Sequence, residues 1–251
     1  MGPGHEIDDL QATGMTVGTP AAATTATAHL GLATHDSAPQ AGRTPLVSGL
    51  QAVAKRLVDV IGALILLASV LPIALVIVLV VKLTSRGPVF FRQRRVGLDM
   101  EEFTVLKFRT MRDGASSTPH EEFMIRLAAG QVPPEQKLKK LVEDPRVTAV
   151  GGVLRRTSLD ELPQLLNVLA GDMSLVGPRP ALAYELSLYH PQHFERFDVY
   201  PGMTGLWQVT GRSRLGLIEM LDLDVEYARR AGLRLDAAIL LRTPTMLFAT
   251  A

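Results

Sequence analysis

The sequence contains no cysteine, and its six histidines are scattered along 251 residues. Without cysteine the chain forms no disulfide bond and offers no thiolate site for zinc. The scatter of the histidines argues against a histidine metal cluster, and we interpret all six as surface or loop residues. Since disulfides are typical of oxidising compartments, we predict that the part of the chain that carries the chemistry is cytoplasmic.

A large excess of charge is also missing, because the formal net charge is only +1 at pH 7. This balance hides a local asymmetry, with basic residues concentrated beside the longest apolar run. We predict no nucleic-acid partner. The length and the 47% hydrophobic content are sufficient for one sizeable domain with a buried core.

The first 45 residues lack a sustained apolar periodicity and are rich in Ala, Thr, Gly and Pro. Such a composition does not bury enough apolar surface to fold alone, so we predict that residues 1–45 form a disordered polar tail. A basic start followed by an apolar stretch is absent near Met1, so a secretory signal peptide is not predicted. The acids Glu6, Asp8 and Asp9 argue against an organelle transit peptide.

A long apolar run extends from Val60 to Val81 and carries no charged residue. As a helix, these roughly 22 residues would be about 33 Å long, which is comparable with the hydrocarbon thickness of a bilayer. The alternative is a buried helix of a soluble protein, but such helices are rarely so long and so uniformly apolar. We therefore predict a membrane helix region over residues 46–86.

The topology of this helix depends on Pro72, which lies near its middle, removes one helical hydrogen bond and favours a kink. Ser69 is close enough in sequence to satisfy the carbonyl that this proline frees. Basic residues flank both ends of the run: Lys55 and Arg56 precede it, and Lys82, Arg86, Arg92, Arg94 and Arg95 follow it. Basic flanks favour the cytoplasmic side, so this pattern suits a re-entrant helix. A kinked helix that crosses the membrane, with the tail outside, is the alternative that these residues leave open.

Residues 87–251 are predicted to form a cytoplasmic domain. The strand-like runs Pro88–Gly97 and Phe103–Met111 are separated by five residues and predict a β-hairpin. Its arginines and Lys107 are expected to face either lipid headgroups or solvent. Short helices are predicted at Glu121–Ala129 and Glu135–Val142. The fold class is α+β, a mostly helical membrane-associated domain with a short β-hairpin and an N-terminal re-entrant membrane helix.

The adjacent acids Asp160 and Glu161 follow a basic pair at the predicted start of a helix. A structural interpretation is available, because Ser158 and Glu161 have the spacing of a capping box. Pro163 conflicts with a helix that starts at Ser158, and a start nearer Asp160 removes the conflict. In either register the helix dipole favours an ionised Asp160, which a carboxylate nucleophile or a metal ligand requires. A cap and a reactive acid are therefore compatible.

The residues from Gly177 to Pro180 read Gly-Pro-Arg-Pro. Two prolines fix the backbone around Arg179, so its guanidinium would have a defined direction that suits bidentate contact with a diphosphate. A rigid turn with an exposed arginine is the alternative.

The segment Pro201–Arg212 concentrates three glycines, the single tryptophan and a terminal arginine in twelve residues. A structural turn and strand would use all of these. Trp207 is also suited to a membrane interface, and Arg212 to binding phosphate. A later helix is predicted from about Leu217 to Arg230, and its acids are expected on a solvated face: Asp222, Asp224 and Glu226.

The order of these motifs resembles the bacterial sugar transferase family, the monotopic polyprenyl-phosphate phosphoglycosyl transferases. The resemblance covers about residues 55–243. Each motif alone is a weak signal, but their ordered succession is specific. The motifs are Lys55-Arg56-Leu57-Val58-Asp59, Gly87-Pro88-Val89-Phe90-Phe91, Gln93-Arg94-Arg95-Val96-Gly97, Lys107-Phe108-Arg109-Thr110-Met111, Ser158-Leu159-Asp160-Glu161-Leu162-Pro163-Gln164, Asn167-Val168-Leu169, Gly171-Asp172-Met173-Ser174, the Gly-Pro-Arg-Pro loop and the segment from Pro201 to Val209.

The resemblance implies transfer of a sugar 1-phosphate from a UDP-sugar to undecaprenyl phosphate, with release of UMP and a requirement for Mg²⁺. In such proteins this reaction begins the assembly of exopolysaccharide or a related glycan. The resemblance also implies a location at the bacterial inner membrane, with the catalytic domain on the cytoplasmic face and in contact with lipid. The sequence leaves open which sugar is moved and whether the active form is a homodimer.

The same resemblance implies roles for individual residues. Asp160 would be the nucleophile that forms a phosphosugar-enzyme intermediate, and Glu161 would be the magnesium partner. Arg155 matches a phosphate-binding arginine, and Arg179 matches an arginine near the nucleotide.

This sequence departs from the family pattern at three places. Leu71-Pro72 replaces a Ser-Pro pair in the membrane helix, Tyr200 replaces a basic residue, and an aromatic patch is replaced by residues 229–232. These changes bear on substrate preference more than on chemistry. The alternative functions are a non-catalytic membrane adaptor for glycan assembly and a metal-dependent phosphohydrolase.

Overall fold

The computed structural model describes residues 49–115, 118–129, 131–132, 144–211 and 215–248. These residues belong to one compact unit, residues 43–251. The predicted tail at residues 1–45, the predicted helix at residues 135–142 and Arg212 lie outside the described residues.

The described part of the chain is mostly helical, with two small sheets. Its α-helices are α1 (Gly49–Thr84), α2 (Thr118–Ala128), α3 (Ala149–Arg156), α4 (Gln164–Ala170), α5 (Leu206–Thr210), α6 (Leu217–Arg230) and α7 (Leu233–Phe248). Its strands are β1 (Phe90–Val96), β2 (Glu102–Phe108), β3 (Ser174–Val176) and β4 (Gly202–Thr204). Short 3₁₀ helices lie at Leu98–Met100, Leu159–Glu161, Ala183–Leu188 and Pro191–Asp198. The α+β prediction is confirmed, as are the helices predicted near residues 121–129 and at 217–230.

Helix α1 is 36 residues long and contains the predicted apolar run, with Pro72 inside it. Within the described residues it is the one helix that is long and apolar enough to cross a membrane. Most of its large apolar side chains are exposed, for example Leu64, Leu75 and Leu79. Because Pro72 has no N–H, the carbonyl of residue 68 lacks its helical hydrogen-bond donor. The Ser69 hydroxyl does not replace this donor, because it donates to the carbonyl of Ile65 at 2.8 Å.

A narrow stripe of α1 packs along the rest of the domain. Near its start, Ala63 is completely buried in the main core, and near its end Ile77 and Val81 pack with Phe108 and Leu154. Both ends of the apolar run therefore contact the same domain, while the opposite face of the helix exposes its apolar side chains. The continuous apolar sequence therefore supplies both a face that packs on protein and an exposed apolar face.

The two strands of the predicted hairpin form an antiparallel pair, and the prediction is confirmed. Phe91 lies opposite Lys107, and Arg95 lies opposite Phe103. In an antiparallel pair opposite residues share a face, and alternate residues along a strand share it too. Arg95 and Lys107 therefore lie on the same face of the hairpin.

The second sheet pairs β3 with β4 in parallel, which joins the Gly-Pro-Arg-Pro region to the predicted Pro201 segment. A Cβ atom on Gly202 would lie 2.0 Å from the backbone nitrogen of Gly177, so glycine is required for this close approach. The half-buried Trp207 follows on α5.

Two predictions of exposure were wrong. Asp224 is buried on α6, because it pairs with the buried Arg196, whereas Asp222 on the same helix is exposed. His193 is completely buried, and both ring nitrogens have partners: Nδ1 accepts from the His190 backbone at 3.1 Å, and Nε2 lies 3.1 Å from Asp222. Both residues are buried by packing of the 3₁₀ helix Pro191–Asp198 on α6, a contact between distant segments.

Candidate active site

Asp160 and Glu161 lie on the 3₁₀ helix Leu159–Glu161, between α3 and α4. The capping box that the spacing of Ser158 and Glu161 allows is absent: Ser158 has a left-handed backbone (φ 56°) and its side chain makes no capping hydrogen bond. Pro163 instead occupies the position before α4. Because proline has no N–H to give to a helix interior, the α-helix starts after it, and the two acids stay on the preceding turn.

Asp160 is a carboxylate with an unusually high pKa. Burial and, to a smaller extent, the neighbouring charge of Glu161 raise the pKa to about 6 against the opposing charges of Lys107 and Arg155. The net shift is opposite to the stabilisation of the ionised form that a helix dipole would give, because burial has the larger effect on the pKa at this position. At pH 7 a group with a pKa of about 6 is still mostly ionised.

Glu161 behaves differently from its neighbour. Burial acts to raise its pKa, but Lys107, Arg179 and Arg95 outweigh burial and hold the pKa below its usual value. The Lys107 ammonium donates to Glu161 Oε1 at 2.6 Å. Lys107 therefore faces the acid pair, which corrects the prediction that it faces lipid headgroups or solvent. The hairpin face that carries Lys107 packs on the turn of the dyad.

Arg155 is placed beside Asp160 by the last turn of α3. Its Nε atom donates to the Thr110 hydroxyl at 2.9 Å, and burial lowers its pKa against the opposing charge of Asp160. Helix α3 is held close to Thr110, since a Cβ atom on Gly151 would lie 2.0 Å from the Thr110 carbonyl oxygen. The direction of the Arg155 side chain is therefore fixed by Thr110, two residues after β2, as well as by its own helix.

Arg179 approaches the site from the Gly-Pro-Arg-Pro loop. Its guanidinium is partly exposed, lies 3.8 Å from Glu185 and acts electrostatically on Glu161. Arg95 is a second cation here: it is buried, and both burial and the charge of Arg179 lower its pKa to about 10. Two arginines that repel each other beside a carboxylate form a favourable position for an anion.

The structure therefore brings together four of the five residues predicted for the site: Asp160, Glu161, Arg155 and Arg179. The fifth, Arg212, is outside the described residues. Sequence reasoning missed Lys107 and Arg95 as members of the site. The hairpin register could have found them, since it places both cations on one face.

Over the described ranges, no group of three or more His, Cys, Asp or Glu side chains could hold a metal ion. The adjacent carboxylates of Asp160 and Glu161 are two oxygen donors that lie beside Lys107.

Comparison with known proteins places this site in a family. The family model described as bacterial sugar transferase matches residues 50–250. The exopolysaccharide production protein ExoY of Rhizobium meliloti is 40% identical over 200 residues, which cover 80% of this chain and 88% of that protein. The uncharacterized sugar transferase EpsL of Bacillus subtilis is 41% identical over 189 residues, 75% of this chain and 84% of that protein.

A relative in Caulobacter vibrioides is named UDP-glucose:undecaprenyl-phosphate glucose-1-phosphate transferase. It is 41% identical over 204 residues, which cover 78% of this chain and 70% of that protein. The family match spans α1, the hairpin, the Asp160–Glu161 dyad and the Gly-Pro-Arg-Pro loop. The chain is therefore an enzyme of the bacterial sugar transferase family.

Proposed function

We propose that this enzyme transfers a sugar 1-phosphate from a UDP-sugar to undecaprenyl phosphate and releases UMP, as the initiating step of exopolysaccharide or related glycan synthesis. The printed name of the Caulobacter vibrioides relative supports this reaction. The observation in this chain that supports it most is the Asp160 carboxylate beside Arg155, Glu161 and Lys107. A carboxylate among cations suits attack on a phosphate that carries negative charge.

The reaction would proceed in two displacements at one phosphorus atom. An Asp160 carboxylate oxygen attacks the phosphorus next to the sugar, and the bond from that phosphorus to the bridging oxygen breaks, so UMP leaves with the electron pair. An oxygen of undecaprenyl phosphate then attacks the same phosphorus and breaks its bond to Asp160. The products are UMP and the sugar linked to the lipid through a diphosphate, and the carboxylate is restored.

The different pKa values of the two acids fit a division of roles. Asp160, with a pKa of about 6, is a more basic carboxylate than an ordinary aspartate, yet it is mostly ionised at pH 7. Glu161 has a lowered pKa and stays ionised. Pairs of acids whose surroundings separate their pKa values commonly take different roles in a mechanism. We assign Asp160 as the nucleophile and Glu161 as the charged partner.

Magnesium fits this donor set. Mg²⁺ is commonly held by one or two carboxylates together with substrate phosphates, so a cluster of three protein ligands is not required. Glu161 would hold the ion and, when bound, Mg²⁺ would neutralise charge on the leaving phosphate. Lys107 contacts one Glu161 oxygen and orients the carboxylate.

The cationic side chains would bind the diphosphate. Arg155 is directed toward Asp160 and suits the phosphate that is attacked, while Arg179 and Arg95 lie on the Glu161 side and suit the leaving UMP. Arginine is well adapted to both positions, since it stays charged and makes bidentate contacts with phosphate. Arg212 is a further phosphate-binding candidate from the sequence.

The membrane helix would give the lipid substrate access to this site. We propose a monotopic enzyme, with a re-entrant α1 and the catalytic domain on the cytoplasmic face of the bacterial inner membrane. Packing of both ends of the apolar run on the same domain supports this topology. A straight crossing would separate the ends by about 30 Å along the membrane normal, which is harder to reconcile with these contacts.

The proposed function is tested by UMP release from the full-length protein in nanodiscs that contain undecaprenyl phosphate. A panel of UDP-sugars with Mg²⁺ would identify the donor. We expect UMP and a lipid-linked sugar with wild type, and a loss of at least about 1,000-fold with Asp160→Asn, since the nucleophile is removed. Glu226→Gln is a suitable control, because Glu226 pairs with Arg230 on the outer part of α6.

Three outcomes would contradict the proposal. Turnover that survives in Asp160→Asn would remove the nucleophile assignment. Soluble sugar phosphate formed without undecaprenyl phosphate would identify a phosphohydrolase. Normal glycan assembly in cells that carry Asp160→Asn together with Glu161→Gln would favour the membrane adaptor.

A further inference from the structure

The backbone of the Gly-Pro-Arg-Pro loop is held by hydrogen bonds on both sides of Arg179. On its first side, Gly177 donates to the Thr204 carbonyl at 2.9 Å, and the Pro178 carbonyl accepts from Gly202 at 2.8 Å. Beyond Arg179, the Pro180 carbonyl accepts from the buried Arg95 at 3.0 Å, and Ala181 exchanges two backbone hydrogen bonds with Val96. Within this loop, Arg179 is the residue whose backbone makes no hydrogen bond to the hairpin or to the β3–β4 pair.

Arg179 is held instead by a buried ion pair. Arg196 Nη2 donates to the Arg179 carbonyl and to Asp224 Oδ2, both at 2.6 Å. Burial raises the pKa of Asp224, and the backbone amide of Arg179 acts against this rise, so the amide lies near the carboxylate. Arg196 Nη1 also donates to the Tyr189 hydroxyl at 2.6 Å. The Arg196–Asp224 ion pair therefore lies beside both the carbonyl and the amide of Arg179.

Burial of this ion pair has a large desolvation cost, so the pair is a weak source of fold stability. The side chains of Arg196 and Asp224 are only 3% and 2% exposed. Within the described residues, Arg196 Nε and Asp224 Oδ1 have no hydrogen-bond partner. A buried ion pair with such atoms is often no more stabilising than apolar residues of similar size. Its contact with the Arg179 carbonyl gives it a use that apolar residues would not provide.

We propose that Asp224 and Arg196 are positioning residues that set the direction of the Arg179 guanidinium toward the diphosphate of the nucleotide sugar. The proposal rests on the proposed function, in which Arg179 contacts the leaving UMP. The pair itself touches no substrate. It fixes the Arg179 backbone, the flanking prolines restrict its torsions, and Glu185 at 3.8 Å limits the side chain from the other side. A preorganised arginine loses less conformational freedom when it binds the diphosphate than an arginine on a mobile loop.

The experiment compares Asp224→Asn and Arg196→Lys with the control Glu226→Gln, in full-length protein in nanodiscs. Asparagine keeps the shape of the carboxylate, and lysine keeps the charge but lacks the fork that spans Arg179, Asp224 and Tyr189. We expect kcat/KM for the UDP-sugar to fall about 10- to 100-fold in both variants, because misplacement of a positioning group costs about this much. The fall should appear largely as a higher KM for the UDP-sugar, with KM for undecaprenyl phosphate within about twofold of wild type.

A double-mutant cycle separates positioning from general stabilisation. If Asp224 acts through Arg179, Asp224→Asn should change kcat/KM by less than about twofold when Arg179→Ala is already present. A full additional fall in the double variant, or wild-type kinetics for Asp224→Asn and Arg196→Lys, would overturn the proposal. Loss of folding in both single variants would also overturn it, because the pair would then be structural. If Arg179→Ala alone leaves donor turnover unchanged, the role given to Arg179 in the proposed function fails instead.

Discussion

The Lys55 ammonium lies 2.7 Å from the Asp236 carboxylate, and this ion pair joins the first turns of α1 to α7. Lys55 also donates to the Ser174 hydroxyl at 2.8 Å, and Asp236 accepts from the Tyr227 hydroxyl at 2.7 Å. Asp59 lies 3.7 Å from Lys55, and its carboxylate accepts from Ser174 at 3.0 Å. These contacts fasten the start of α1 to the rest of the domain.

We expect Lys55→Met to destabilise the folded domain by about 3–5 kcal/mol, because it leaves Asp236 and Asp59 buried without their counter-ion. Thermal unfolding in detergent measures the loss, with Arg230→Gln as the control that breaks an exposed pair. The double variant Lys55→Met with Asp236→Asn should recover part of the loss. An unfolding temperature for Lys55→Met equal to that of the control would contradict a stabilising role for the Lys55–Asp236 ion pair.

Asp160→Asn should stabilise the protein while it removes activity. A rise in pKa from 3.8 to about 6 corresponds to roughly 3 kcal/mol, and solvent screening reduces this to about 1–2 kcal/mol. Between these pH values the folded protein binds more protons than the unfolded chain, so wild-type stability falls as pH rises from about 4 to 6. The asparagine variant should match wild type below pH 4 and exceed it at pH 7. Parallel stability curves across this range would show that the Asp160 pKa is not raised.

Lys107→Met should move the acid limb of the pH–rate profile. Lys107 lowers the pKa of both Glu161 and Asp160, so its removal raises both values, and activity is lost at a higher pH as the solution is acidified. In wild type the acid limb of kcat/KM should lie near pH 6, the pKa of Asp160. Arg94→Gln is the matched control, since Arg94 is exposed and pairs with Glu102 on the same hairpin. An acid limb that coincides in all three proteins would exclude this role for Lys107.

Two neighbouring glycines in α3 should respond oppositely to alanine. A Cβ atom on Gly151 would lie 2.0 Å from the Thr110 carbonyl oxygen, whereas the nearest atom to one on Gly152 is 4.0 Å away. Gly151→Ala should therefore displace α3, with a loss of at least about 2 kcal/mol and reduced activity through Arg155. Gly152→Ala should stabilise by about 0.5–1 kcal/mol through helix propensity. Equal unfolding temperatures for the two variants would contradict the close packing of α3 on Thr110.

Introduced cysteines would test the topology, since the chain has none of its own. A re-entrant helix predicts that Gln40→Cys and Ala115→Cys are both shielded from an impermeant thiol reagent in intact cells. Both should react after the cells are opened. Labelling of Gln40→Cys alone in intact cells would establish a helix that crosses the membrane.

Local patterns were sufficient to predict much of the architecture. The apolar run, the hairpin and α6 follow from periodicity and turn residues in single segments, so their existence did not depend on distant contacts. The start of α4 was misplaced because the left-handed backbone at Ser158 is not encoded by the capping-box spacing. Pro163 was the better signal, and the helix begins directly after it.

Site residues that belong to sequence motifs were predicted, and those that reach the site only through packing of distant segments were missed. The dyad, Arg155 and Arg179 stand in motifs, whereas Lys107 joins the site through the register of two strands and their packing on a turn some 54 residues away. Asp224 shows most clearly what local sequence cannot predict. Asp222, Asp224 and Glu226 lie at alternate positions of one helix, and Asp224 is the one that pairs with the buried Arg196, 28 residues earlier.

The central claim is that an Asp160 oxygen bonds to the phosphorus of the donor substrate. Intact-protein and peptide mass spectrometry of the full chain, quenched in acid after mixing with UDP-sugar and Mg²⁺ without undecaprenyl phosphate, tests it directly. The account predicts an added mass of one sugar phosphate on the peptide that contains Asp160, which disappears when undecaprenyl phosphate is added and never forms in Asp160→Asn. Product formation by an active preparation with no adduct at any time, or an adduct on another residue, would contradict it.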